Sequence, residues 1–104
     1  MVIREWRGRA SPDRADAYPA HFRTIVVPEL RSLPGFRGAH LSRKNLGNVI
    51  EFLVLTRWES LEAIEAFAGS SIAKAIVEPG GVAALLDFDA TAQHYEVIEE
   101  ISPA

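Results

Sequence analysis

The chain carries three histidines and no cysteine, so imidazole is the side chain it has available for proton transfer near neutral pH. His94 is the first candidate for a general base: it sits mid-strand in TAQHYEVIE, a place where a titratable ring is seldom put for packing alone, although a satisfied structural histidine also fits there. His40 shares a strand face with Gly38 and Ser42, and can be a ligand contact or an exposed sheet residue. His21 lies about 60° from Tyr18 around a helix, at the edge of an apolar stripe, where it either packs at the boundary or lines a pocket. Arg4 and Trp6 share a strand face, so a guanidinium beside an indole could hold a carboxylate or phenolate, or the two could form an exposed pair. Asp87 and Asp89, flanking Phe88, suit turn formation and capping.

These residues do not make a metal site by spacing. No HxH or HxxxH pattern lies on one element, and the missing cysteines remove thiolate nucleophiles and cysteine-held zinc or iron-sulfur centres. Pro79-Gly80-Gly81 matches neither nucleotide fingerprint. No metal and no cofactor is therefore expected, with a flavin left open because its binding often leaves no short motif.

The 104 residues suffice for one domain, 1–104, and the 48% hydrophobic and 24% charged fractions are ordinary for a globular protein. A formal net charge of -3 argues against binding nucleic acid, and Arg4, Arg7, Arg9 and Arg14 read as solvated surface. No apolar run approaches the roughly 20 residues of a membrane span. Met1 leads into VIREWRGR without the pattern of a signal peptide, so a cytoplasmic location is the expectation.

The elements that must position the candidates follow from periodicity and punctuation. Val2 to Arg7 reads as a strand ending at Gly8. Ser11-Pro12-Asp13 starts a helix whose apolar face runs Tyr18, Phe22, Ile25, Glu29, Leu33, widened by Val26 and Leu30, with a kink or break expected at Pro19 or Pro28. Leu33-Pro34-Gly35 ends it. A second strand, Phe36 to Lys44, turns through Asn45-Leu46-Gly47-Asn48 into a third that ends at Trp58. Ser60 caps the next helix, with Leu61, Ile64 and Phe67 or Ala68 on its apolar side and Gly69 at its end. Ser70 or Ser71 is read as the cap of a further helix through Val77, stopped by Pro79-Gly80-Gly81, with one more turn over Val82 to Leu86. Thr91 to Glu99 is the last strand.

Strand, helix, strand, strand, helix, strand is the α+β, ferredoxin-like βαββαβ order, a four-stranded antiparallel sheet with both helices on one face. In the third strand Ile50, Phe52 and Val54 point one way and Val49, Leu53 and Leu55 the other. The helices can cover one face, so the other is expected to pack on a second copy of the chain as a homodimer.

The segment WESLEAIEAFAGS, the LPGF turn and the closing HYEV strand resemble the antibiotic-biosynthesis monooxygenase family of dimeric α/β barrels, over nearly the full length. That family includes cofactor-free oxygenases acting on aromatic polyketides and heme-degrading enzymes. For heme degradation the resemblance implies a late helix Trp, a His about ten residues on and an Asn on the first strand. Here Phe67 stands at the first position, Val77 at or next to the second, and no Asn occurs between Met1 and Arg9.

For the oxygenase branch the resemblance implies an apolar cavity between sheet and helices, holding a small aromatic or quinol-type molecule that reacts with oxygen once deprotonated. It needs a base, orienting groups and a dry pocket. His94 is the expected base or orienter, with Arg4, His21 and His40 as polar contacts and Trp6, Phe22, Trp58 and Phe67 as an aromatic wall. Trp58 also reads as packing between strand end and helix. The rival reading from another class is a non-catalytic small-molecule-binding or interaction module on the same dimeric fold.

Overall fold

The computed structural model describes residues 1–104. The chain is α+β, with an antiparallel sheet whose central path is β2-β3-β1-β4, a fifth strand also pairing with β1. The strands are β1 (Val2–Ala10), β2 (Phe36–Asn45), β3 (Ile50–Trp58), β4 (Asp87–Phe88) and β5 (Gln93–Glu96). Both β4 and β5 lie along one edge of β1, opposite Gly8 and Arg9 and opposite Val2 to Glu5 respectively. They are one fourth strand broken in the middle, which restores the ferredoxin-like order. The sheet is open, not closed into a barrel.

β1 alternates between buried Val2, Arg4, Trp6, Gly8 and Ala10 and half-buried residues between them. The buried set faces the helices. Two apolar clusters form there, one around Trp6, Tyr18, Phe22 and Phe52, the other around Val2, Leu30, Trp58 and Ile64.

The long helix differs from a regular α-helix in a way that matters for the site. It consists of α1 (Ala17–His21), a π-helical turn over Phe22–Val26, and α2 (Val27–Arg31). The Val27 N–H reaches back to the Phe22 carbonyl, five residues away. Pro28 has no N–H to give the preceding turn, and its ring clashes with the carbonyl four residues back; the wide turn relieves both. The extra residue moves Val26 into the place Ile25 would take and Leu30 into that of Glu29. Tyr18, Phe22 and Leu30 are buried, while Ile25 is 47% exposed and Glu29 stands outside the stripe. A short 3-10 turn, Pro12–Arg14, replaces the helix start expected at Ser11, whose side chain makes no capping bond.

α3 (Leu61–Ala68) follows expectation: Ser60 Oγ accepts the Ala63 N–H at 3.2 Å, and Gly69 ends the helix at φ 78°. Leu61, placed on the apolar side by spacing, is instead exposed. The helix expected from Ser70 or Ser71 to Val77 does not form. Its backbone is committed elsewhere: Ala75 N–H bonds to Ala90 O, Ala92 N–H to Ala73 O, and the carbonyls of Ile72 and Lys74 accept from Arg4. Pro79-Gly80-Gly81 opens a helix rather than stopping one, since α4 spans Pro79–Ala84 with the proline in its first turn, where an N–H is not needed.

Two further readings change. Arg4 is buried at 5% exposure, not solvated, and Asp87 and Asp89 hold Arg9 rather than capping a turn. The last strand starts at Gln93 rather than Thr91, the backbone groups of Ala90 and Ala92 being turned to the 73–75 segment, and it ends at Glu96 rather than Glu99.

Candidate functional site

Between the sheet and the helices lies a cavity walled by residues from every layer. β1 supplies Arg4 and Trp6, β3 supplies Val54 and Thr56, the long helix supplies Tyr18, His21, Val26 and Leu30, α3 supplies Phe67, and the 72–78 segment supplies Ile76, Val77 and Glu78. The space among these walls, including its mouth, is about 560 Å³, but the enclosed interior is only about 40 Å³. That holds about one water, whose share of liquid volume is ~30 Å³. A ring enters only if a wall moves, and the 72–78 segment is the wall without regular secondary structure.

Arg4 is the chemical centre of the inner end. Its Nη1 donates to His94 at 2.9 Å and to the Ile72 carbonyl, and its Nη2 donates to the Lys74 carbonyl at 3.0 Å. The guanidinium carbon lies 5.6 Å from the Phe67 ring centre, a cation-π contact. No carboxylate pairs with it: the ion pairs of the chain involve Arg7, Arg9 and Arg37. Burial without a counter-charge lowers the Arg4 pKa to about 10.

His94 stands beside Arg4 on β5, and burial first, then the Arg4 charge, lowers its pKa. Its Nε2 accepts from a permanent donor, so the ring is neutral with its proton on Nδ1. It borders a different, shallower concavity with Met1, Glu59 and Glu96, and reaches the main cavity only through Arg4.

Another part of the lining is acidic and makes no ion pair with Arg4. Glu78 faces the cavity beside Tyr18, whose pKa is raised by burial and then by the Glu78 charge, so the phenol keeps its proton. A hydrogen bond with Glu78, then burial and the repulsion of that carboxylate, push Glu29 up to about 7. His21 packs against the start of α4: a Cβ on Gly80 would come within 2.7 Å of His21 Nδ1 and one on Gly81 within 3.2 Å of Nε2. Only glycine lets the helix approach the ring this closely.

The cavity thus gathers Arg4, Trp6, His21 and Phe67 among the residues singled out from sequence. Phe22 lies behind Tyr18 in the core, with ring centres 6.4 Å apart. Trp58 is fully buried behind Phe67 and gives its indole N–H to Thr56 Oγ1 at 2.7 Å. His40 pairs with Leu55 and is exposed on the face of the sheet away from the helices. Sequence reasoning missed Tyr18, Thr56 and Glu78 as site residues.

The family model described as antibiotic biosynthesis monooxygenase matches residues 1–79. The chain belongs to the antibiotic biosynthesis monooxygenase family. Those 79 residues carry β1 to β3, all of the long helix, α3, and the cavity wall through Glu78.

Solved structures agree at the level of fold. A monooxygenase from the ActVA-Orf6 gene of Streptomyces coelicolor, in complex with nanaomycin D, is 15% identical, with 99% of this chain and 92% of that one covered and a TM-score of 0.64. The heme-degrader MhuD of Mycobacterium tuberculosis, with two hemes in its active site, is 23% identical over 98% and 100% of the chains at a TM-score of 0.60. A dimeric ferredoxin-like protein from an uncultured marine organism is 17% identical over 96% and 98% at 0.58. No match is found among curated proteins.

At the positions that the family resemblance ties to heme, Phe67 and Val77 line the cavity, and neither offers an atom that ligates iron.

Proposed function

We propose that this family member is a homodimeric oxidoreductase that oxygenates a small aromatic or quinol-type molecule in the cavity between sheet and helices, using no bound cofactor. The observation that carries the reading is the wall itself: apolar and aromatic surfaces from Trp6, Val54 and Phe67, with Tyr18, His21, Arg4 and Glu78 as the polar groups turned to the same space. Few, convergent polar groups in an apolar cavity are what orientation and proton removal require.

The chemistry proceeds in balanced steps. A base takes a proton from an activated C–H of the substrate, and the carbanion gives one electron to dioxygen. The resulting radicals join as a peroxide anion, which takes the proton back from the base, and the hydroperoxide so formed loses water to leave a carbonyl. One oxygen atom enters the product and the other leaves as water. His21 and Glu78 are the proton acceptors at the cavity, and His94 acts through Arg4, which it orients. Exclusion of water protects the carbanion.

The dimer reading rests on the uncovered sheet face. Ile3, Leu53 and Leu55 lie there among Glu5, Arg7 and Arg57, and Tyr95 on the same face is 53% exposed. A second copy packed sheet to sheet would cover them.

The test is oxygen uptake with anthrone, whose CH₂ is acidified by its carbonyl. Purified protein without added cofactor should consume one O₂ per anthrone, and His21→Ala should lower turnover by about 10²-fold. Binding without oxygen uptake would replace this reading with the non-catalytic one.

A further inference from the structure

The inner end of the cavity holds a cation and hydrogen-bond donors but no anion. Arg4 is 5% exposed and Thr56 4%, and the two stand directly opposite each other on β1 and β3. A guanidinium has five N–H donors, and the bonds to Ile72 O, His94 and Lys74 O use three of them. The Nε–H and one Nη2–H have no acceptor in the chain. Thr56 Oγ1 accepts the Trp58 indole proton, which leaves its own hydroxyl proton to give.

A buried cation that is not paired is unfavourable, and main-chain carbonyls compensate a guanidinium less well than a carboxylate, which bonds it in a bidentate, charge-assisted way. The part of the lining with Glu78 and the protonated Tyr18 repels an anion and accepts a hydroxyl. The cavity therefore discriminates between the two ends of a ligand.

We infer that the ligand is an aromatic acid, its carboxylate held by Arg4 and Thr56, its ring between Trp6 and Phe67, and any ring hydroxyl directed to Glu78 and Tyr18. This rests on the cavity being the substrate site, as proposed above. The carboxylate takes the two guanidinium protons left without an acceptor, the Nε–H and one Nη2–H, while the bonds to the Ile72 and Lys74 carbonyls stay in place.

Calorimetric titration with 2-naphthoate and with 2-naphthamide, matched in shape and differing in charge, tests this on the unmodified protein. The naphthoate should bind at least tenfold tighter. Arg4→Met, verified as folded by circular dichroism, should abolish that preference, Arg4→Lys should retain part of it, and Thr56→Val should reduce it with the charge untouched. Equal binding of acid and amide would overturn the carboxylate inference and leave the cavity as the site. A preference for naphthoate that survives Arg4→Met places the anion elsewhere and also overturns it. Failure of both compounds to bind would remove the aromatic site itself.

Discussion

Arg4 and His94 face each other across β1 and β5, and the arginine Nη1 donates to the histidine Nε2 at 2.9 Å. The pair joins two residues whose chemistry pointed to a site, yet it makes the imidazole an acceptor already in use. His94 thereby stands against the cation that borders the cavity and does not itself line the cavity.

The protonation of His94 follows. Burial, then the Arg4 charge, lower its folded pKa below the 6.5 of a free ring. The unfolded chain takes up a proton as pH falls through 6.5 while the folded chain does not, so this group reduces stability from that pH down to its folded pKa and has no effect above 6.5. NMR titration of the ring should give a value under 6.5, rising toward normal in Arg4→Met. A pKa at or above 6.5 in the unmodified protein would contradict the arrangement.

Glu29 behaves in the opposite sense. Its folded pKa of about 7 lies above the ordinary 4.5, so the folded state holds the extra proton between those values. The stability Glu29 contributes is full below 4.5 and lost as pH rises through 7. Carboxyl ¹³C titration should show the late proton loss, and Glu78→Gln should bring it down. A Glu29 that titrates near 4.5 would mean the two carboxyls do not meet.

Trp58 is fully buried, with its N–H satisfied by Thr56 and its ring edge-on to Phe36 at 5.4 Å. Trp58→Ala should cost about 3–5 kcal/mol in urea unfolding. A loss below about 1 kcal/mol would show the site collapsing around the deletion or the ring out of place.

Much of this was legible in the sequence because it depends on local rules. The strand ending at Trp58, the Ser60 cap, the Gly69 stop and the β2-β3 turn need only periodicity, capping and glycine. The failures are long-range. Nothing within residues 70–77 says that their carbonyls will be taken by Arg4, 68 and 70 positions earlier in the chain. The exposure of Ile25 follows from a wide turn next to Pro28, where a break was expected but not its one-residue shift of register. His40 fell on the outer sheet face because strand alternation gives two faces and does not say which the helices cover.

Arg9 joins the broken fourth strand to the sheet, with ion pairs to Asp87, Asp89 at 2.7 Å and Glu51 at 3.3 Å. Its partners are partly solvated, so Arg9→Ala should cost about 1 kcal/mol, and less in high salt. Urea midpoints at two salt concentrations read this, and an equal loss at both would point to packing by the arginine stem.

Light scattering in dilute buffer should give twice the chain mass of 11.4 kDa, and Leu55→Glu, on the uncovered sheet face, should halve it. A folded monomer of the unmodified chain would remove the sheet-to-sheet dimer.

The central claim is that oxygen is inserted in the cavity beside Arg4, His21 and Glu78. Mass spectrometry of the product made from anthrone under ¹⁸O₂, reduced at once to prevent carbonyl exchange with water, tests it most directly. One ¹⁸O per product molecule is predicted for the unmodified protein and a much smaller amount for His21→Ala. Unlabelled product, or labelling that the variant leaves unchanged, would contradict the account.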